Sequence, residues 1–218
     1  MNSSLVQLLV LAGIAIFLVL RLKNVLGTRE GFEKPPEAVQ DSTPVRREFE
    51  VIEGGPDRDI TDHAEEGSAQ ADALAQMKAA DPSFSVNEFL GGASGAYEMI
   101  LMAFEAGDMD SIKGFLSDDV FESFDSVVKM REEQGLSVDA TFVGVREMRL
   151  KDATYNASTT EGEVTVKFVA ELTSVVTNAE GEVVEGSAKE IKRQKDTWTF
   201  ARVMSSDDPN WQLVATGE

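Results

Sequence analysis

The chain has 218 residues, with 20 Lys and Arg against 39 Asp and Glu, a net charge of −19, no Cys and one His. Such a charge repels a phosphate backbone, so it argues against nucleic-acid binding. Without Cys there is no disulfide, thiolate ligand or Cys nucleophile, and one His rules out a multi-His metal site, so we predict no metal and no cofactor.

The first 23 residues are an apolar run that contains two basic residues and no acidic one. Residues 3–22 number about 20, the length that spans a bilayer core. A cleaved signal peptide needs basic residues before the run and small residues after it, whereas here Arg21 and Lys23 follow it. We predict a transmembrane anchor at residues 1–23, with residues 3–22 in an inner-membrane lipid bilayer. A signal peptide and a buried soluble helix are the alternatives.

The basic residues beside the run predict its orientation. Arg21, Lys23 and Arg29 all follow the span. Positive residues favour the cytoplasmic side, so the N-terminus is expected outside and the rest of the chain in the cytoplasm.

Residues 24–80 have the composition of a linker. They contain four of the six prolines and 13 acidic residues. Such a stretch buries too little apolar surface to order itself, so we predict a mostly disordered acidic linker, with a transient helix at residues 65–80. The short apolar motif at residues 47–52 is either a docking motif or an ordinary linker patch. His63 lies in this linker, which argues against a buried catalytic role.

Residues 81–218 are predicted to fold, beginning with helices. Ser85 and Glu88 form a capping-box pattern at the start of an apolar 3.6-residue repeat that ends at Gly107. Two further helices are predicted before Gly135, and their N-cap candidates are Asp110, Asp118 and Asp119.

Three glycines lie inside the first of these helices, at Gly91, Gly92 and Gly95. Each costs a helix interior about 1 kcal/mol relative to Ala. Tight packing against a sheet is the preferred explanation, and a groove for a ligand or partner is the alternative.

After Gly135 the apolar repeat changes to two residues, which predicts strands. A long strand at residues 138–150 has a bulge near Gly144, and a half-buried strand follows at 164–172. A hairpin turn at 178–181 leads to a polar strand at 186–195, and two strands at 198–204 and 211–215 complete the pattern. Three helices before antiparallel strands predict an α+β domain, with the helices covering one face of a curved sheet.

Several motifs occur together in a characteristic order, at residues 89–93, 96–100, 103–108, 131–135, 198–202 and 206–211. In this order they resemble the Tim44 C-terminal domain family, and the whole chain resembles its bacterial inner-membrane members. The resemblance implies a cone-shaped fold like that of nuclear transport factor two, with a pocket between helices and sheet. In mitochondria such a domain tethers the seventy-kilodalton heat-shock chaperone to the protein-import channel.

Two functions agree with these features. The first is a membrane-anchored adaptor that binds a partner protein, such as a chaperone or a membrane complex, at a bacterial inner membrane. The second is a binder of lipid or another apolar ligand in the pocket. Related cone folds include enzymes, but residues 81–218 contain no His, and we predict that the chain is not an enzyme. The candidate pocket or partner-binding residues, which otherwise form core, are Phe89, Gly92, Gly95, Tyr97, Phe104, Trp198, Phe200 and Trp211.

A local basic cluster interrupts the acidic domain. It consists of Lys189, Lys192, Arg193 and Lys195, with Arg202 nearby. The preferred interpretation is a solvated strand exterior, and contact with lipid headgroups or an acidic partner is the alternative.

Overall fold

Helices come first and strands follow in the computed structural model, which describes residues 56–217. The helices are α1 (Arg58–Thr61), α2 (Ala69–Ala80), α3 (Val86–Ala106), α4 (Met109–Ile112), which continues into a 3₁₀ turn (Lys113–Phe115), and α5 (Asp118–Glu133). The strands are β1 (Ser137–Asn156), β2 (Glu161–Thr177), β3 (Val183–Val203) and β4 (Gln212–Gly217). The predicted α+β class is confirmed.

The predicted anchor and the first part of the predicted linker lie outside the described residues. Between residues 56 and 217, no helix has both the length and the apolar character needed to cross a bilayer.

The four strands form one antiparallel sheet in the order β1-β2-β3-β4. The predicted bulge is confirmed, because the pairing of β1 with β2 shifts between Phe142 and Gly144. The predicted hairpin turn is confirmed too, since Gly181 has φ 79° and its N–H donates to the Asn178 carbonyl at 2.9 Å. Long strands joined by short turns make the sheet a simple meander.

The strands predicted at 186–195 and 198–204 are one continuous strand, β3. Its pairing with β2 moves from Leu172 opposite Lys192 to Ser174 opposite Ser187, so extra residues of β3 are accommodated without ending it. The irregularity lies within the first of the two predicted strands, whereas residues 196 and 197, which separate the two in the prediction, pair regularly with Phe168 and Lys167.

The N-caps of two helices differ from the prediction. Asp108, not Asp110, caps α4 by accepting the Ser111 N–H, and Ser117 caps α5 by accepting the Val120 N–H. The cap of a helix is the residue just before its first turn. The acidic pair at 118–119 lies inside the first turn of α5, where negative charge suits the helix dipole.

The predicted linker boundary at residue 81 is too late. The stretch 58–80 forms α1 and α2, and its apolar side chains belong to the core, with Leu74 and Met77 completely buried. The hydroxyl of Ser68 accepts the Ala71 N–H and caps α2. The folded part of the chain therefore begins before α1, and the helix predicted to be transient is a packed element.

The core lies between the helices and one face of the sheet, here called the inner face. Alternate residues of β2 form its centre, and Val164, Val166 and Phe168 are completely buried. The same alternation turns the odd-numbered side chains of this part of β2 to the opposite, outer face. α3 lies across the inner face and brings Tyr97 onto Phe168, with ring centroids 4.4 Å apart.

Candidate functional site

The start of α3 is held in place by a carboxylate from α1. Asp59 accepts the Val86 N–H at 2.7 Å, the Asn87 N–H at 2.9 Å and the Ser85 hydroxyl at 3.0 Å. Ser85 in turn accepts the Glu88 N–H at 3.4 Å, so the predicted capping serine is confirmed. These bonds satisfy backbone groups that a helix leaves unpaired and fix the first turn of α3.

A groove of about 430 Å³ opens beside this first turn, between α3 on one side and β3 with the β3–β4 turn on the other. Its wall is mainly aromatic and small apolar, with a polar rim. The lining side chains are Phe84, Phe89, Ala93, Ala96, Phe115, Phe200, Pro209 and Trp211, with Gly92 on α3 and Ser83, Ser85, Glu88, Arg202 and Asn210 as the polar part. This volume is that of a site for a small ligand or a side chain of a partner.

The aromatic side chains of the groove wall pack against one another. The Trp211 ring centroid lies 4.6 Å from that of Phe89 and 5.7 Å from that of Phe84. Phe89 also meets Phe200 edge-on at 6.0 Å. Tilted and edge-to-face pairs of this kind add stabilisation beyond area burial, so these contacts help to hold the wall together.

One cation lies in this aromatic wall. The Arg202 guanidinium is 5.3 Å from the Trp211 ring centroid and donates to the carboxylate of Asp81, while its buried Nε has no hydrogen-bond partner within residues 56–217. Hydrogen bonds from Ser83, more than that from Arg202, hold the pKa of Asp81 below its ordinary value. The groove therefore combines an apolar wall with a fixed ion pair at its side.

The candidate residues predicted from the sequence divide between the groove and the core. Phe89, Gly92, Phe200 and Trp211 line the groove. Tyr97 and Trp198 lie deeper on the inner face and are 0% and 3% exposed. Burial and a 2.5 Å hydrogen bond to Asp196 raise the pKa of Tyr97, which keeps its phenol protonated.

Phe104 lies at the far end of α3, away from the groove. Its ring centroid is 4.6 Å from that of Phe124 and 4.6 Å from the Arg131 guanidinium. Fifteen residues of α-helix separate Phe104 from Phe89, a distance of about 22 Å, so one groove cannot hold both.

The preferred explanation for the three glycines of α3 is wrong. A Cβ built on Gly91, Gly92 or Gly95 meets no heavy atom of the described residues within 4 Å, and all three residues are exposed. They do not allow close packing against the sheet. Gly92 borders the groove, which agrees with the alternative, whereas Gly91 and Gly95 do not line it.

Most groove residues were not among the candidates predicted from the sequence, and two of them, Phe84 and Arg202, matter most for the aromatic wall. Phe84 precedes the capping serine, and no periodic pattern extends to it. Arg202 was grouped with the basic cluster of β3, but its side chain is only 10% exposed and faces the groove. The signal was present, because Trp198, Phe200 and Arg202 alternate on one side of β3.

The residues from 56 to 217 contain no group of three or more His, Asp or Glu side chains that could hold a metal ion. His63 lies near the surface, where its Nε2 is 2.9 Å from the Asn87 Oδ1. The groove itself offers an ion pair and one rim carboxylate, Glu88, a composition suited to binding.

Comparison with known proteins gives a family. A family model described as "Tim44-like domain" matches residues 70–218. Among solved structures, the intermembrane space region of chloroplast protein ARC6 is similar to this chain at 12% identity and a TM-score of 0.34, covering 50% of this chain and 75% of that one. No curated protein matches the sequence.

Proposed function

Since the chain belongs to the Tim44-like domain family, we propose that it is an adaptor anchored in a bacterial inner membrane, which binds a partner protein through the groove beside α3. The family is associated with protein-binding adaptor roles in translocation. The observation that carries the proposal is an aromatic groove of about 430 Å³ that opens beside an exposed glycine of α3, Gly92.

The groove suits a protein partner because of its two unlike sides. The aromatic side presents Trp211 and Phe89, which can enclose an apolar anchor side chain of the partner. The helical side presents Gly92, where the absence of a side chain lets a partner backbone come close. Glu88 and Asn210 at the rim supply hydrogen-bond groups that can orient the bound segment.

The proposed anchor would increase this binding by keeping the domain near membrane partners. With α1 and α2 in the folded part, the linker shortens to residues 24–56. A flexible chain of that length has a root-mean-square span on the order of 30 Å, which gives a high effective concentration at the membrane. The cytoplasmic position rests on Arg21, Lys23 and Arg29, and protease accessibility in inner-membrane vesicles tests it.

A photo-crosslinking amino acid at the groove tests the adaptor proposal in cells. We place it at Glu88, which lines the groove, and at Glu98, an exposed residue on the same helix outside the groove. The proposal expects a discrete protein adduct from position 88 and none from position 98. Gly92→Leu should abolish the adduct by filling the groove, and Gly91→Leu should leave it.

Gly91→Leu is a matched control because it makes the same substitution, with the same gain in helix propensity, one residue away from the groove lining. Equal adducts from positions 88 and 98, or an adduct that still forms in Gly92→Leu, would contradict the proposal.

The alternative is that the same groove holds a lipid chain or another apolar small molecule. Its volume and aromatic lining favour this second function, and the cone-shaped pocket implied by the family resemblance agrees with it. Native mass spectrometry of the full chain, released from a mild detergent, should then show a bound mass that Gly92→Leu removes. We assign no catalytic role and no chaperone-specific contact to the groove.

A further inference from the structure

The outer face of the sheet carries a cluster of basic side chains on three neighbouring strands. Arg149 of β1 pairs with Lys167 of β2, and Lys195 of β3 pairs with Val169 two residues further along. A concavity of about 220 Å³ lies over them. We call this cluster the cationic patch, and its members are Arg146, Arg149, Lys167, Arg193 and Lys195.

Only part of this patch is neutralised within the protein. Glu171 binds Arg146 at 2.6 Å and Arg193 at 3.0 Å, and these two hydrogen bonds lower its pKa. In the described part of the chain, by contrast, Arg149, Lys167 and Lys195 form no ion pair. One carboxylate, Glu147, lines the concavity, and Asp152 and Glu163 border the patch at one end.

Two of the three unpaired cations are costly for the sheet. Arg149 and Lys167 are direct cross-strand neighbours, and like charges in that position destabilise a strand pair. The described residues contain 31 acidic side chains against 14 basic ones, so acidic partners for these cations are abundant elsewhere in the chain. The three cations that form no ion pair are therefore available for an anion from outside.

The geometry of the patch matches an extended acidic peptide. Lys167 and Lys195, two of the cations that form no ion pair, are diagonal neighbours on β2 and β3, which places their side chains about 7 Å apart. An extended peptide repeats its own side chains at the same interval, so alternate carboxylates can meet successive cations. Val169, only 8% exposed beneath the long basic side chains, gives the concavity an apolar floor for the peptide backbone.

The charge of the rest of the protein disfavours larger polyanions. A bilayer surface or a nucleic acid extends well beyond the patch and meets Asp152 and Glu163 at its end, and the acidic excess of the described residues repels it. A short segment meets only the local field. We therefore propose that the cationic patch on the outer face of β1–β3 is a second docking surface, which binds an extended acidic segment of a partner protein.

This surface goes beyond the groove and is independent of it, because the two lie on opposite faces of the sheet. The inner-face residue Phe200 lines the groove, whereas Arg193 and Lys195 point to the outer face. A variant that fills the groove should leave the patch unchanged, so failure of one proposal is distinguishable from failure of the other.

Peptide binding by the full chain tests the patch. The protein is held in nanodiscs of neutral phosphatidylcholine, and the probe is a fluorescein-labelled peptide of about eight residues in which Glu alternates with Thr. Fluorescence anisotropy at low salt should show binding that weakens as salt is added. The double variant Arg149→Gln/Lys195→Gln should lower the affinity about tenfold, since two Coulombic contacts are lost.

The control Lys129→Gln/Lys189→Gln removes the same charge from exposed positions outside the patch and should change the affinity less than about twofold. Gly92→Leu should retain full peptide affinity. No peptide binding, or equal losses in the two double variants, overturns the proposal. So does a result in which anionic phosphatidylglycerol vesicles or a single-stranded oligonucleotide bind through Arg149 and Lys195 while the peptide does not.

Discussion

Asp59 caps α3 from a distance of 27 residues in sequence, accepting the Val86 N–H at 2.7 Å. The same carboxylate accepts the Asn87 N–H, and Lys78 lies 2.8 Å from it. One short helix that the composition assigns to a linker thus fixes the first turn of the helix that carries the groove.

Removing this carboxylate should destabilise the domain. We expect Asp59→Ala to lower the free energy of unfolding by about 2 kcal/mol, because backbone donors of α3 lose a charged acceptor. Urea unfolding of the full chain in detergent measures this free energy. Tryptophan fluorescence follows the unfolding, because both tryptophans, Trp198 and Trp211, lie in the folded part. The control Glu66→Ala removes an exposed acid and should have little effect. Equal stability of the two variants would contradict the capping role.

The contribution of Asp59 should also depend on pH in a defined direction. Partial burial raises its pKa, but hydrogen bonds from Lys78 and from the start of α3 outweigh burial and hold the pKa well below the ordinary value of 3.8. A lowered folded-state pKa contributes stability above the unfolded-state value and loses it as the pH falls toward the folded-state value. The difference in unfolding free energy between the native chain and Asp59→Ala should therefore be smaller at pH 3 than at pH 7. A constant difference would refute this.

The periodicity of apolar residues was enough to predict α3 and the centre of β2, because the buried positions of both elements follow a regular local repeat. It failed for α2, since an Ala-rich stretch with no aromatic residue has the composition of a linker. What orders α2 is contact far along the chain: a Cβ on Gly162 would come within 2.9 Å of the Met77 sulfur. No window of sequence around residue 77 contains that information.

The candidate site was predicted in part for the same reason. Phe200 and Phe89, two of the candidates named from the sequence, both line the groove. The apolar repeat on α3 cannot tell how far along the helix an opening lies. Tyr97 and Phe104 share the stripe with Phe89, but one is covered by the sheet and the other by α5.

The core role of α2 leads to a second stability prediction. Leu74 is completely buried, so Leu74→Ala should lower the free energy of unfolding by about 3 kcal/mol through lost burial and a cavity. Gln76→Ala on the exposed side of the same helix should change it by less than about 0.5 kcal/mol. Tryptophan fluorescence during urea unfolding compares them. A Leu74→Ala variant as stable as Gln76→Ala would restore the linker interpretation.

Two glycines, one inside α3 and one at its C-terminal end, give the last prediction, because replacing each with Ala should change the free energy of unfolding in opposite directions. Gly95 has helical backbone and open space around it, so Gly95→Ala should raise the free energy of unfolding by up to about 1 kcal/mol. Gly107, at the end of the same helix, has φ 77° and a Val128 methyl 3.4 Å from a built Cβ. Gly107→Ala should therefore lower the free energy by about 1 kcal/mol or more.

Gly95→Ala and Gly92→Ala together separate two explanations for the glycines of α3. A loss of stability in Gly95→Ala would show that tight packing does hold that position after all. A gain there, with Gly92→Ala equally stabilised, would mean that the chain retains glycine on this face at a cost to folding. The crosslinked adduct from position 88 then tests whether this cost in stability serves partner binding. Gly92→Ala should weaken the adduct only slightly, because a methyl group fills little of a 430 Å³ groove, whereas Gly92→Leu should remove the adduct.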